Sequence, residues 1–151
     1  MIKTLPTPQD HLKERREVAT RWGGDPVITS NGFLPVATSF LWYAAHLEPG
    51  GLNPAQMLFV LHLMSHKWSE KKPYPSYERV AGRMGVSVAY CRKIARDLEK
   101  RGFLKRTQRQ GESNLYDLSP LFAKLAVYVQ NRRREKTNLH PTHSQVEVRK
   151  G

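Results

Sequence analysis

The chain has 151 residues, 39% of them apolar, and a single cysteine, Cys91, so it can bury one ordinary core unaided, and an internal disulfide and a cysteine-pair zinc site are excluded. Lys and Arg number 25 against 13 Asp and Glu, a formal net charge of +12. A surplus of that size on so small a body draws polyanions, nucleic acid foremost; an anionic membrane surface is the rival partner and an inert basic surface the plain alternative.

The opening MIKTLPTPQDHLKERREVATRW has no apolar core of signal-peptide length, and the longest apolar stretch, FLPVATSFLWYAAHL, is too short to span a bilayer and contains Pro35. A soluble cytoplasmic chain with no membrane partner, gathered on the nucleoid when bound to DNA, is expected. Residues 1–31, with Pro6, Pro8, the run KERRE and the breakers GGDP and SNG, show little apolar periodicity and read as a mobile basic arm. One folded unit is expected over residues 32–136. GFLPV begins it as a short extended segment, and ATSFLWYAAHL forms a helix closed by EPGG.

Asn53 and Pro54 supply an N-cap and a first-turn proline for a helix to His66, with Met57, Leu58, Val60, Leu61 and Met64 on adjoining faces. The segment SEKKPYP reads as a loop. Ser76 then caps a helix from Tyr77 to Met84, Gly85 ends it, and Ser87 caps a second helix. Next, FLKRT, QRQGES and NLYDLS alternate and turn as a β-hairpin does. Ser119 and Pro120 start a last helix, with Leu121, Phe122, Leu125, Tyr128 and Val129 on one side until NRRREK; residues 137–151 are expected to be disordered.

The second capped helix carries the strongest functional signal. At 100° per residue Cys91, Ile94, Ala95 and Leu98 share the core side, while Ala89, Lys93, Arg96 and Lys100 fall opposite, flanked by Tyr90 and Arg92, with Asp97 and Glu99 toward the boundaries. Such a helix fits the major groove, with Ser87, Val88, Ala89, Tyr90, Arg92, Lys93, Arg96 and Lys100 as its candidate contacts. Ala89 permits close approach, Lys93 and Arg96 can donate to guanine, Tyr90 can reach a phosphate or a thymine methyl, and Ser87 with the free N–H groups of the first turn can meet a phosphate. The plainer reading is a surface helix laced by Lys93–Asp97 and Asp97–Arg101 pairs. The hairpin adds Lys105, Arg106, Arg109 and Gln110 for a backbone or minor groove, and Ser76 and Tyr77 at the preceding helix start are further phosphate candidates.

Helix, turn, helix and basic hairpin over about residues 53–118 resemble the winged helix-turn-helix family, with PSYERVAGRMGVS as second helix and turn, VAYCRKIARDLEKRGFLKR as recognition helix and first wing strand, and NLYDLS as second wing strand. With GFLPV before and NLYDLSPLFAKL after, the pattern is similar to helix-turn-helix proteins of phages, plasmids and other mobile elements, among them replication initiators and small regulators. The resemblance implies a mainly α fold with a small β-hairpin wing, flanked by an N-terminal and a C-terminal helix. It places Ser87, Ala89, Tyr90, Lys93 and Arg96 at recognition-helix positions, and puts Val88 and Ala89 where such proteins often carry Arg or Lys, so readout leans on the wing and on later helix positions. Full-size initiators commonly carry a further domain, and none is expected after Lys136.

Enzymatic activity, a cofactor and a metal are not expected. His62 and His66 have metal-pair spacing but no accompanying acidic ligands, His140 and His143 lack a third ligand, and no P-loop, nucleophile elbow or dinucleotide glycine pattern occurs. A sequence-selective duplex-DNA binder acting as a transcription regulator ranks first. A replication initiator or accessory protein that recruits a partner through the N-terminal arm or the last helix is the alternative, and a winged-helix protein-interaction module is the third reading. A two-fold dimer through the helix at 120–131 is favoured over a monomer in which that helix packs back on its own domain.

Overall fold

The computed structural model describes residues 5–66 and 74–139; the expected loop over SEKKPYP lies outside this description as far as residue 73, and the expected tail lies outside it from residue 140. The chain divides into two units, residues 1–35 and 36–151, where a single one is expected.

In the first unit, Thr7 and Asp10 cap helix α1 (Pro8–Arg21) reciprocally. The Asp10 N–H donates to Thr7 Oγ1 (3.3 Å), the Thr7 N–H donates to Asp10 Oδ2 (2.8 Å), and Pro8 supplies a preset φ in the first turn. A 3₁₀ turn, Pro26–Thr29, follows, and the Thr29 hydroxyl donates to the Arg15 carbonyl (3.0 Å). A regular helix therefore stands within the stretch read from sequence as a mobile basic arm. A capping box makes this helix; Ala19 is the one residue it buries, so no apolar period marks it. The boundary also moves, because residues 32–35 belong with this unit rather than with the next.

The second unit is mainly helical, with one two-stranded antiparallel hairpin, in a winged-helix-like arrangement. Helix α2 (Thr38–Tyr43) ends in a 3₁₀ turn at Ala44–His46. Asn53 and Gln56 form the capping box of α3 (Pro54–Ser65), whose fully buried residues are Phe59, Val60 and Leu63. Its core face is thus turned by about one residue from the expected one: Met57, Leu61 and Met64 are half-buried and Leu58 is exposed.

Ser76 caps α4 (Tyr77–Met84), and Gly85 closes it at φ +70°, a left-handed conformation in which a Cβ is strained. The Val86 N–H then donates back to the Ala81 carbonyl (3.0 Å). Ser87 caps α5 (Val88–Lys100), and Cys91, Ile94, Ala95 and Leu98 are buried, as the helical period predicts. Phe103 and Leu104 sink into the core and lead into β1 (Lys105–Thr107), which pairs with β2 (Leu115–Asp117) in the register Arg106↔Tyr116.

Helix α6 (Ser119–Leu139) runs beyond the expected end at residue 131 and through 137–139, because QNRRREKTNL contains neither Gly nor Pro to stop it. Its first half closes the core. Leu121 and Leu125 are buried, Phe122 packs on Phe40 of α2 with ring centroids 6.2 Å apart, and Tyr128 packs on Tyr43 at 5.2 Å. The apolar side assigned to a dimer is therefore consumed within the chain: α2 and α6 cover each other.

Two outcomes follow from this packing. Leu121→Ala should cost about 2–5 kcal/mol in urea denaturation, without altering the mass seen by light scattering; a shift in mass with unchanged stability would contradict the intramolecular role. Burial, with Glu78 nearby, pushes the Cys91 thiol up to about 11, so a disulfide labelling reagent at pH 8 should leave the native protein unmodified and react promptly once denaturant is added.

Candidate nucleic-acid interface

The exposed side of α5 is organised by what happens to its two carboxylates. Asp97 Oδ2 accepts from Gln56 Nε2 (2.7 Å) and from Arg101 Nε (3.0 Å). Arg101 also donates to Gln56 Oε1 (2.9 Å) and to the carbonyls of Pro49 and Gly51, so Asp97 is built into the junction of α3 and α5. Glu99 Oε2 accepts from Arg106 Nε (2.9 Å) and Nη2 (2.5 Å) at the base of the hairpin. Both acids are drawn sideways to structural arginines. Of the two i,i+4 pairs open to the helix, Asp97–Arg101 forms (2.7 Å), and among the described residues no ion pair or side-chain hydrogen bond engages Lys93, Arg96 or Lys100.

Ala89, Tyr90, Arg92, Lys93, Arg96 and Lys100 are all exposed, on the side opposite the buried residues. The Ser87 hydroxyl oxygen accepts from the Tyr90 N–H (3.1 Å), fixing the helix start. Arg92 lies with its guanidinium carbon 5.6 Å from the Tyr77 ring centroid, which holds it at the α4 end of this face. Val88 is half-buried against the core and drops out of the expected set, since its branched apolar side chain is better satisfied there than in water.

The hairpin departs further from expectation. Residues on a strand alternate sides, and Arg106 stands directly across from the buried Tyr116, so both point inward. Besides Glu99, Arg106 donates to the Tyr77 hydroxyl (2.6 Å), to which Asn114 Nδ2 also donates (3.5 Å). Arg106 and the Tyr77 hydroxyl therefore tie α4, α5 and the hairpin together and are not surface contacts. Arg109 donates to the Ser113 carbonyl (2.8 Å), pairs with Glu112 (2.5 Å) and stacks on Tyr74 at 5.6 Å. Lys105 and Gln110 stay exposed. The Ser76 hydroxyl oxygen accepts from the Arg79 N–H (3.2 Å). An open cleft of about 860 Å³ separates the α4 start from the hairpin tip, lined by both signs of charge, with Arg92 and Arg109 against Glu78 and Glu112.

His66 Nε2 lies 2.9 Å from Arg83 Nη1, a hydrogen bond that a neutral imidazole accepts, and burial together with Arg83 holds both His62 and His66 below the ordinary imidazole range. Among the described residues no group of three potential ligands gathers at a metal site, and no helix is long and apolar enough to cross a membrane.

The sequence matches the DnaD N-terminal domain family over residues 45–136, well over half of the chain. The chain belongs to that family. The crystal structure of the N-terminal domain of DnaD protein from Geobacillus kaustophilus HTA426 superposes with a TM-score of 0.57 at 22% identity, covering 82% of this chain and 96% of that one, so the two share a fold. The PcaV transcriptional regulator from Streptomyces coelicolor, crystallised with its natural ligand, gives a TM-score of 0.39 at 14% identity over 74% of this chain and 78% of that one, too remote to bear on the argument. No curated protein matches. The DnaD family is related to replication, which supports the replication alternative over the transcription regulator ranked first from sequence.

Arg106→Gln should lower stability by about 1–3 kcal/mol in urea denaturation, because it leaves Glu99 and Tyr77 short of a partner. Lys105→Gln, one residue away on the outward side, should change it by less than about 0.5 kcal/mol. Equal effects would mean that the inward network carries nothing.

Proposed function

We propose that this protein is a non-enzymatic, cytoplasmic replication accessory or initiation protein that binds duplex DNA with a winged helix-turn-helix, α5 lying in the major groove as recognition helix. The observation that carries this reading is the electrostatic sorting of α5. Its acids are spent on Arg101 and Arg106, while Lys93, Arg96 and Lys100 keep their charge on one exposed face. Ala89 and Tyr90 at the N-terminal end of that face permit close approach to base edges, and Lys93 and Arg96 donate to guanine O6 and N7. Lys105 and Gln110 lie along the backbone as the outward side of the wing. Family membership supports a replication setting, in which the domain also meets a replication protein and a second copy of itself. The favoured dimer face on α6 is not part of this proposal, since Leu121 and Leu125 are buried in their own core.

Lys93→Ala and Arg96→Ala should each weaken duplex binding by about 1–3 kcal/mol in a quantitative shift assay, whereas Lys124→Ala, off this face, leaves it unchanged. Equal small losses at all three remove the recognition-helix assignment. A genomic binding map at native expression level should place the protein at replication origins; occupancy confined to promoters would return the regulator to first place.

A further inference from the structure

Helix α6 continues for ten residues after Val129, the last of its residues packed on the core, and every residue from 130 to 139 is exposed. Arg132, Arg133, Arg134 and Lys136 stand there against one acid, Glu135. At 100° per residue the core stripe of Leu121, Leu125 and Val129 leads directly into Arg132 and Lys136, so the stripe turns cationic where the core stops. About the same axis Arg133 lies beside that stripe, about 60° from Lys136, and Arg134 about 100° further round, the two flanking the line through Gln130 and Thr137. Arg132 folds back over Tyr43, its guanidinium carbon 5.3 Å from the ring centroid. Among the described residues no ion pair offsets Arg133, Arg134 or Lys136.

A helix that is polar all round is ordinarily steadied by i,i+4 pairs of opposite charge. This one has like charges at those spacings, as at Arg132 and Lys136, and their mutual repulsion is relieved when an anion approaches. We propose that residues 130–139 form a second duplex-binding surface, in which Arg133, Arg134 and Lys136 contact backbone phosphates. Phosphate binding of this kind needs charge without a shaped pocket, which is what this rod offers over about 15 Å. A lipid surface fits less well, because a helix lying on a membrane needs an apolar face to bury and this stretch holds only Leu139. The surface is separate from α5 and goes beyond the function proposed above.

The test uses the full chain and a mixed-sequence duplex titrated at several salt concentrations. The triple variant Arg133→Gln, Arg134→Gln, Lys136→Gln should bind several-fold more weakly at low salt. Its slope of log K against log salt should be shallower by about two to three, roughly 0.9 for each phosphate that is no longer neutralised. Glu135→Lys should tighten binding several-fold. Circular dichroism is expected to show unchanged helix content, since all four side chains are exposed; should the triple variant lose helix, the Glu135→Lys result decides. Unchanged slope and unchanged Glu135→Lys affinity overturn the proposal, as does retention of duplex affinity with loss of binding to phosphatidylserine vesicles. If Lys93→Ala and Arg96→Ala lose affinity while the α6 variants do not, the second surface alone fails; failure of the unmodified chain to bind any duplex overturns both readings.

Discussion

The pairing of each α5 carboxylate with an arginine from the chain that follows is the interaction on which this architecture turns. Arg101 and Arg106 flank Phe103 and Leu104, which are buried, so sinking those two side chains sets one arginine on the α3 side of α5 and the other on the α4 side. Arg101 reaches Asp97, Gln56 and the carbonyls of Pro49 and Gly51, and Arg106 reaches Glu99 and Tyr77. Loss of one member leaves a partly buried charge or acceptor without its partner, which costs more than the bond itself contributes. The same pairing clears negative charge from the exposed side of α5. Stability and the basic surface are therefore coupled through one set of interactions.

Tyr116 is the counterpart on the apolar side. Its ring meets Phe59 of α3 at 6.4 Å and Tyr77 of α4 at 6.2 Å, both nearly edge-on. A hairpin of two three-residue strands has little independent stability. This one is held by a buried aromatic on β2 and a paired guanidinium on β1, directly opposite each other in the register. Its outward residues, Lys105 and Thr107, are consequently held at a set distance from α5 rather than on a freely moving loop. Arg106 and Arg109 of the hairpin are engaged within the protein, so α5 and the extension of α6 each present more unpaired positive charge than the hairpin does.

Family membership and the charge distribution on α5 both support the replication reading proposed above. They also shift weight away from a small promoter-bound regulator. A regulator reading leans on a dimer with paired recognition helices, and the apolar surface assigned to that pairing is occupied by α2.

Much of the fold was legible from local chemistry. Asn53, Ser76 and Ser87 announced helix starts, Gly85 a helix end, and the period of Cys91, Ile94, Ala95 and Leu98 announced which side of α5 is buried, because caps and periodicity act within a few residues and leave their mark in the chain. Helix α1 escaped because a single buried alanine gives no period, although TPQD held its capping signal. What the sequence alone determined is the basic face of α5, since the positions of Lys93, Arg96 and Lys100 around a helix follow from spacing. What only the tertiary structure decided is which charges remain free. Arg106 and Lys105 read alike in sequence, and the register against Tyr116 turns one inward and leaves the other in solvent; α6 likewise reads as an apolar helix in want of a partner until α2 is folded against it. Pairings between residues distant in sequence depend on register and packing, which leave no period in the chain.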